Sequence, residues 1–288
     1  IALAFLTGYI LYYGINKTIS NQQSYLIPET KVPVLATQES SFAADKVPNA
    51  GNGKRSSLSF WIYIYDNNKY SGVRKHVLHR GDEAGTDLTG GASPYIYLDQ
   101  NTNKLYVTFA PADATKLFVN GTNTYNFASA SDSEKMIYLN AVRGITIDYI
   151  PLQRWVNVVV VVNEDATVGG SITAYVDGEF VKSVTAKTDL TNSGQVALNA
   201  AGTAITPVPS FNVTDVDLDK KGNIYTGGSI GSTVGPGFSG MVSMVQFFNY
   251  DMNANDVYRL YLKGPVDNLL AKAGLPAYGI QSPIYRIG

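Results

Sequence analysis

LQRWVNVVVVVNE, residues 152–164, sets five consecutive valines just behind a tryptophan. Valine is stiff at χ1 and packs well on a pleated surface, so the run is poor helix material and good strand material. A strand with one wet face would alternate apolar and polar residues. Val158 to Val162 instead send apolar side chains to both faces. The expected element is a central strand covered on both sides, in a β-rich domain with a layered core.

Other strand signals surround it. SSLSFWIYIYD (56–66) alternates Leu58, Phe60, Ile62 and Ile64 with Ser59, Trp61, Tyr63 and Tyr65. RKHVLHRGD (74–82) reads as a short strand ending in a turn. SPYIYLDQNTNKLYVTFA (93–110) reads as a hairpin around QNTN. Asp177-Gly178 is a hairpin turn inside SITAYVDGEFVKSV (171–184). IYTGGSIG (224–231) and FSGMVSMVQFFNYD (238–251) read as strands, 111–150 as irregular, and 186–220 as a loop insertion. NANDVYRLYLKG (253–264) carries a capping residue, apolar residues at helical spacing and a Gly264-Pro265 stop, so a short C-terminal helix is expected.

Composition narrows the function. Of 288 residues, 45% are apolar and only 16% charged, against about 25% in an average soluble domain. With 20 tyrosines, such a weakly charged exterior suits a protein packed against others. The net charge is −1 and no basic run exceeds two residues, so nucleic acid is not an expected partner. The chain has no cysteine, which excludes disulfides, thiol nucleophiles and cysteine-based zinc sites.

IALAFLTGYILYYGI, residues 1–15, is uncharged. As a helix it would run about 22 Å, against roughly 30 Å of bilayer hydrocarbon. The chain opens on Ile rather than Met, and further residues upstream are expected to complete a span. The expected anchor residues are Ile1, Leu3, Phe5, Leu6, Tyr9, Ile10, Leu11, Tyr12, Tyr13 and Ile15, with the tyrosines as an interfacial belt and Lys17 beyond it. A helix packed on protein and a retained signal peptide are the competing readings. The expected organisation is an anchor over 1–16, an extended Pro-containing linker over 17–54, a β domain over 55–262 and an extended tail over 263–288.

Three stretches together resemble laminin-G-like, concanavalin A-type jelly rolls: SFWIYIY (59–65), QRWVNVVVVVNE with ITAYVDGEFVKS (153–183), and YTGGSIG with FSGMVSMVQFFNYDMNANDVYRLY (225–261). The resemblance implies an all-β sandwich of jelly-roll type with an N-terminal apolar helix. An apolar N-terminus, a Pro-containing spacer, a cysteine-free laminin-G-like domain and a long tail also resemble minor capsid proteins of large icosahedral DNA viruses. That implies a non-enzymatic virion protein between the capsid shell and an internal membrane, single-pass anchored, with major and minor capsid proteins as partners. A glycan-binding, lectin-like domain is the alternative, and a glycoside hydrolase a third.

The chemical candidates are few. Asp215, Asp217 and Asp219 alternate as in glucanases of this fold, but all three are Asp and a turn signal, KKGN, follows at once. Calcium is the usual cofactor of glycan-binding laminin-G-like domains. Asp82, Asp87, Asp99 and Asp165 lie in turns, yet no spacing singles them out, so no cofactor is expected, with calcium as the alternative. His76 and His79, three apart, are expected on opposite faces of a strand, one packed and one exposed. Arg80-Gly81-Asp82 spells an integrin tripeptide but is equally a turn. Asn16, Asn120 and Asn212 head glycosylation sequons. Glycines 227–231 lack a following helix and Lys-Ser/Thr, so no phosphate loop is expected. Tyr65, Tyr95 and Tyr106 are candidate contact anchors.

Overall fold

The computed structural model describes residues 6–9, 11–12, 22–51, 54–85, 91–110, 112, 117–120, 123–126, 143–164, 170–185, 213 and 216–266. The strands are β1 (Ser24–Leu26), β2 (Val34–Leu35), β3 (Ser40–Phe42), β4 (Ser56–Asp66), β5 (Lys75–Gly81), β6 (Ala92–Leu98), β7 (Leu105–Thr108), β8 (Leu117–Asn120), β9 (Asn123–Asn126), β10 (Gly144–Ile147), β11 (Trp155–Asn163), β12 (Ser171–Val176), β13 (Glu179–Thr185), β14 (Asn223–Thr226) and β15 (Ser239–Phe248). The helix α1 spans Ala254–Lys263.

Two antiparallel sheets make an all-β sandwich. The first runs β1-β15-β4-β11-β12-β13, with β2 also on β15; the second runs β10-β7-β6-β5-β14-β3. β8 and β9 pair as a separate hairpin. One core lies between the sheets: Leu58, Phe60 and Ile62 of β4 and Val158, Val160 and Val162 of β11 share a cluster with Val77, Leu78, Ile96, Val107, Ile145 and Ile224 of the second sheet.

The valine run is central as expected. Val159 and Val161 face the other way, into a second cluster with Phe248, Met252, Val257 and Leu260. The residues opposite them on β4 are Ser59 and Ser57. These small side chains leave room for α1 to lie close to the sheet. Ser57 also ties the approach to the helix, donating from Oγ to Tyr250 O (2.7 Å) and accepting from Met252 N (3.0 Å). Asn253 caps α1 by accepting from Asp256 N (2.9 Å), and Gly264 ends it at φ 85°.

The expected hairpin turn at Asp177-Gly178 forms, with φ of 52° and 83°. Asp and Gly tolerate that left-handed region. Asp177 also accepts from Asn157 N (2.8 Å) and Arg154 Nη2 (2.7 Å), fastening the β12–β13 turn to β11.

Three expectations about the course of the chain need correction. Residues 24–42, read as linker, are built into the sandwich: β1 and β2 pair with β15, and β3 pairs with β14. Ile27, Ala36 and Phe42 are buried in the core, because the sheets' outermost strands still offer unpaired backbone groups and apolar surface to cover. Within 111–150, read as irregular, GITI (144–147) is the fully buried edge strand β10. In the 186–220 insertion, Val213, Val216 and Leu218 are buried in the core; residues 186–212 lie outside the described residues.

Both covers of β11 are needed. Leu260→Ala is expected to cost about 2–3 kcal/mol in urea unfolding, as typical for a buried leucine. It should loosen the Trp61 environment while the far-ultraviolet strand signal persists.

Candidate functional site

The outer face of the second sheet gathers histidine and tyrosine. His76 and His79 share one face, contrary to the alternation expected, and both are buried. The reason is a bulge: His76 pairs with Tyr97 and Leu78 with Ile96, so Val77 is an extra residue that restores the two histidines to the same side. His79 stacks on Tyr225 with centroids 4.9 Å apart, and both histidine rings meet Tyr95. Tyr97 stacks on Tyr106 at 4.9 Å, and the Arg74 guanidinium lies over Tyr97.

Three polar contacts run through the histidine pair. His76 Nδ1 lies 2.6 Å from Gly227 O, His76 Nε2 lies 2.9 Å from His79 Nδ1, and His79 Nε2 lies 3.0 Å from Asp82 O. Each carbonyl needs an N–H facing it and the central contact needs one more, whereas two neutral imidazoles carry only two. A third proton would complete the chain but would be a buried cation. Burial opposes it and pushes His76 down to about 3, helped by His79 and resisted by the Gly227 carbonyl. Burial also lowers His79.

This has a consequence for stability. An unfolded histidine takes a proton near pH 6.5, and folded His76 does so only near 3. Between those values the unfolded state binds more protons, so stability is fully present above about 6.5 and falls as the pH drops. A single such histidine contributes a slope of about 1.4 kcal/mol per pH unit. Urea unfolding between about pH 6.5 and about pH 4 should show that slope, and His76→Gln should flatten it.

A second polar cluster joins the β4–β5 and β6–β7 loops. Lys75 is fully buried, and its Nζ donates to Asn67 Oδ1 (3.0 Å), Asp99 O (3.2 Å) and Gln100 O (3.3 Å). Burial lowers its pKa, while the Asp99 and Asp66 charges oppose that. Asp99 itself accepts from Asn101 N, Thr102 N and Thr102 Oγ1. These loop oxygens, of the kind that bind calcium, converge on an ammonium group. Among the described residues no group of three or more His, Cys, Asp or Glu could hold a metal. Asp87 and Asp165 lie outside the described residues. Lys75→Met leaves these oxygens without their cation and is expected to cost about 3 kcal/mol in thermal or urea unfolding.

The aspartate row is tied to backbone. Asp217 Oδ1 accepts from Asp219 N (3.1 Å) and Asp219 Oδ1 from Ala50 N (2.7 Å), while Asp215 lies outside the described residues. The Arg-Gly-Asp tripeptide is not a displayed loop, since Arg80 is 3% exposed.

The exposed apolar groups lie elsewhere. Phe180 (62% exposed) and Val181 (45%) stand on β13, an edge strand of the first sheet, beside Tyr258 (52%) of α1. Gly178 brings the turn against α1, where a Cβ would meet the Tyr258 ring at 3.1 Å. Tyr258 continues inward through Tyr261 to Trp61. Of the tyrosines marked from the sequence, Tyr65 is exposed, Tyr106 half-buried and Tyr95 buried. Phe180 and Tyr258 were not singled out there. The D-G turn placed Phe180 on a strand, but nothing local marked that strand as an edge.

Residues 6–9 and 11–12 are helical, with Leu6, Tyr9, Leu11 and Tyr12 exposed. The other anchor candidates, Ile1, Leu3, Phe5, Ile10, Tyr13 and Ile15, lie outside the described residues. No helix among the described residues is long and apolar enough to cross a membrane.

No family model matches the chain, and no curated protein does. Solved structures that are similar include the receptor binding domain of botulinum neurotoxin C/D mosaic serotype, at 11% identity and TM-score 0.40, covering 83% of this chain and 46% of that one. The receptor binding domain of botulinum neurotoxin D matches at 12% and 0.39, covering 83% and 47%. The binding domain of serotype C1 matches at 13% and 0.39, covering 72% and 36%. This chain thus spans less than half the length of each. All three are binding domains of botulinum neurotoxins; the sandwich assignment rests on the strand pairings above.

Proposed function

We propose that this chain is a non-enzymatic structural protein that ties a protein shell to an underlying membrane, as minor capsid proteins of large icosahedral DNA viruses do. In this reading the sandwich is a laminin-G-like, concanavalin A-type jelly roll used as a docking module. Residues 1–16 are the single-pass tether, and major and minor capsid proteins are the partners.

The observation that carries the proposal is how the chain leaves the apolar segment. Gln23 N donates to Asn249 Oδ1 (2.7 Å), and Asn249 N donates back to Gln23 O (3.0 Å). β1 follows at once on β15. From Tyr12 to Gln23 the chain reaches at most roughly 40 Å. An apolar helical segment on so short a lead keeps the sandwich close to whatever the segment enters. That suits a rivet between two layers better than a reader held out on a stalk.

The opposite edge of the same sheet supplies a docking surface. Among the described residues β13 is the last strand of that sheet, and Phe180, Val181 and Tyr258 give exposed apolar anchors beside it. Use of Asp217 and Asp219 as backbone acceptors supports a non-catalytic role. A glycan-binding role would instead show saturable, chelator-sensitive binding on a glycan array.

Phe180→Asp with Tyr258→Ala should leave the circular dichroism unchanged and abolish co-purification with shell proteins. Retained co-purification would sink the docking edge. Extraction tests the tether: release by detergent and not by high salt is expected, and release by salt alone would mean that residues 1–16 pack on protein.

A further inference from the structure

Arg80 also borders an open polar cleft of about 540 Å³ at the end of the sandwich. Its walls come from separate parts of the chain: Lys46 and Asn49 before β4, Arg80 on β5, Lys221 and Asn223 at the start of β14, and Gln23 before β1. The close approach is built into the backbone. Gly222 sits at φ 118°, and a Cβ there would lie 2.2 Å from Gly81 O, so only glycine lets the β14 start press against the end of β5. That contact brings Lys221 and Asn223 beside Arg80.

The lining of the cleft is net positive. Three cations line it, against one lining carboxylate, Asp45. Lys221 Nζ donates to Asn49 Oδ1 (2.5 Å), which leaves the Asn49 Nδ2 to donate elsewhere. Arg80 is the exceptional group. It is 3% exposed, and its Nε is buried with no hydrogen-bond partner among the described residues. Asp219 and Asp217 act on it electrostatically, yet among the described residues no ion pair joins either to Arg80. A buried Nε without a partner is costly, and an oxyanion that accepts from the Arg80 guanidinium would offset that cost. Lys75, equally buried in the same strand, has three acceptors and needs none.

We propose that this cleft is a binding site for a phosphate-bearing polar ligand. The phosphate meets Arg80, with Lys46 and Lys221 at the rim, and Asn49, Asn223 and Gln23 bind an attached polyol. The volume supports the second part, being that of a small-molecule pocket and several times larger than a bare oxyanion. The phosphate could belong to a soluble ester or to a lipid headgroup. The site does not depend on the tether proposed above.

The test uses the full chain, with Lys46→Ala combined with Lys221→Ala as the main variant. Both lysines are exposed, so the fold is not at risk. Arg80→Lys, which keeps the charge and loses the fork, is the second. Inorganic phosphate and glycerol phosphate, titrated by calorimetry and thermal shift, should bind the wild type. The double variant should bind about tenfold more weakly, the equivalent of about 1.4 kcal/mol. Arg80→Lys should weaken binding while retaining the native spectrum. Vesicles of phosphatidylcholine with or without phosphatidylglycerol identify the source. A preference for phosphatidylglycerol that the double variant loses supports a lipid headgroup. Glycerol phosphate binding without such a preference supports a soluble ester. No binding of either phosphate, or equal binding by wild type and double variant, overturns the proposal.

Discussion

β11 is buried on both faces, and that single constraint organises the molecule. A strand of valines stabilises the fold only if each side is kept from water, at roughly 1.5–3 kcal/mol per buried side chain. One cover is the second sheet. The other is α1, a ten-residue helix too short to persist alone in water. It holds its place through Val257 and Leu260 below, the stacking of Tyr261 on Trp61, and the Ser57 bridge at its entry. Asp177 links the same strand to the β13 turn, which rests against the helix. Sheet, helix and the exposed aromatic edge are therefore mechanically one unit.

The N-terminal segment closes the sandwich at its rim. It crosses from β15 in one sheet to β14 in the other, and its 3-10 turn, Pro28–Lys31, is set against a bulge in β15 where Met244 has φ 50°. Thr30 satisfies that bulge, accepting from Val245 N (3.0 Å).

Buried polarity is concentrated in β5, where Lys75, His76, His79 and Arg80 are all shielded from water. Each has a different environment. Lys75 is satisfied by three oxygens, the histidines share too few protons to fill their contacts, and Arg80 borders a cleft, its Nε without a hydrogen-bond partner among the described residues. One strand thus carries a structural cation, an acid-sensitive pair and a candidate ligand group.

What the sequence determined by itself is local and periodic. The valine run, the alternation in 56–66, the Asp177-Gly178 turn and the Asn253 cap each follow from spacing over a few residues, and each is found where expected. Three other features depended on partners far away in the chain. Residues 24–42 became strands because β15 and β14 had free edges to fill. His76 and His79 came to one face because the mismatch with β6 forced Val77 out of register. The cleft at Arg80 gathers residues from 23 to 223, and no local pattern marks their meeting. Backbone pairing and tertiary closure act over hundreds of residues. Strand propensity could therefore name the pieces, while the packed structure alone decided which edges, faces and charges meet.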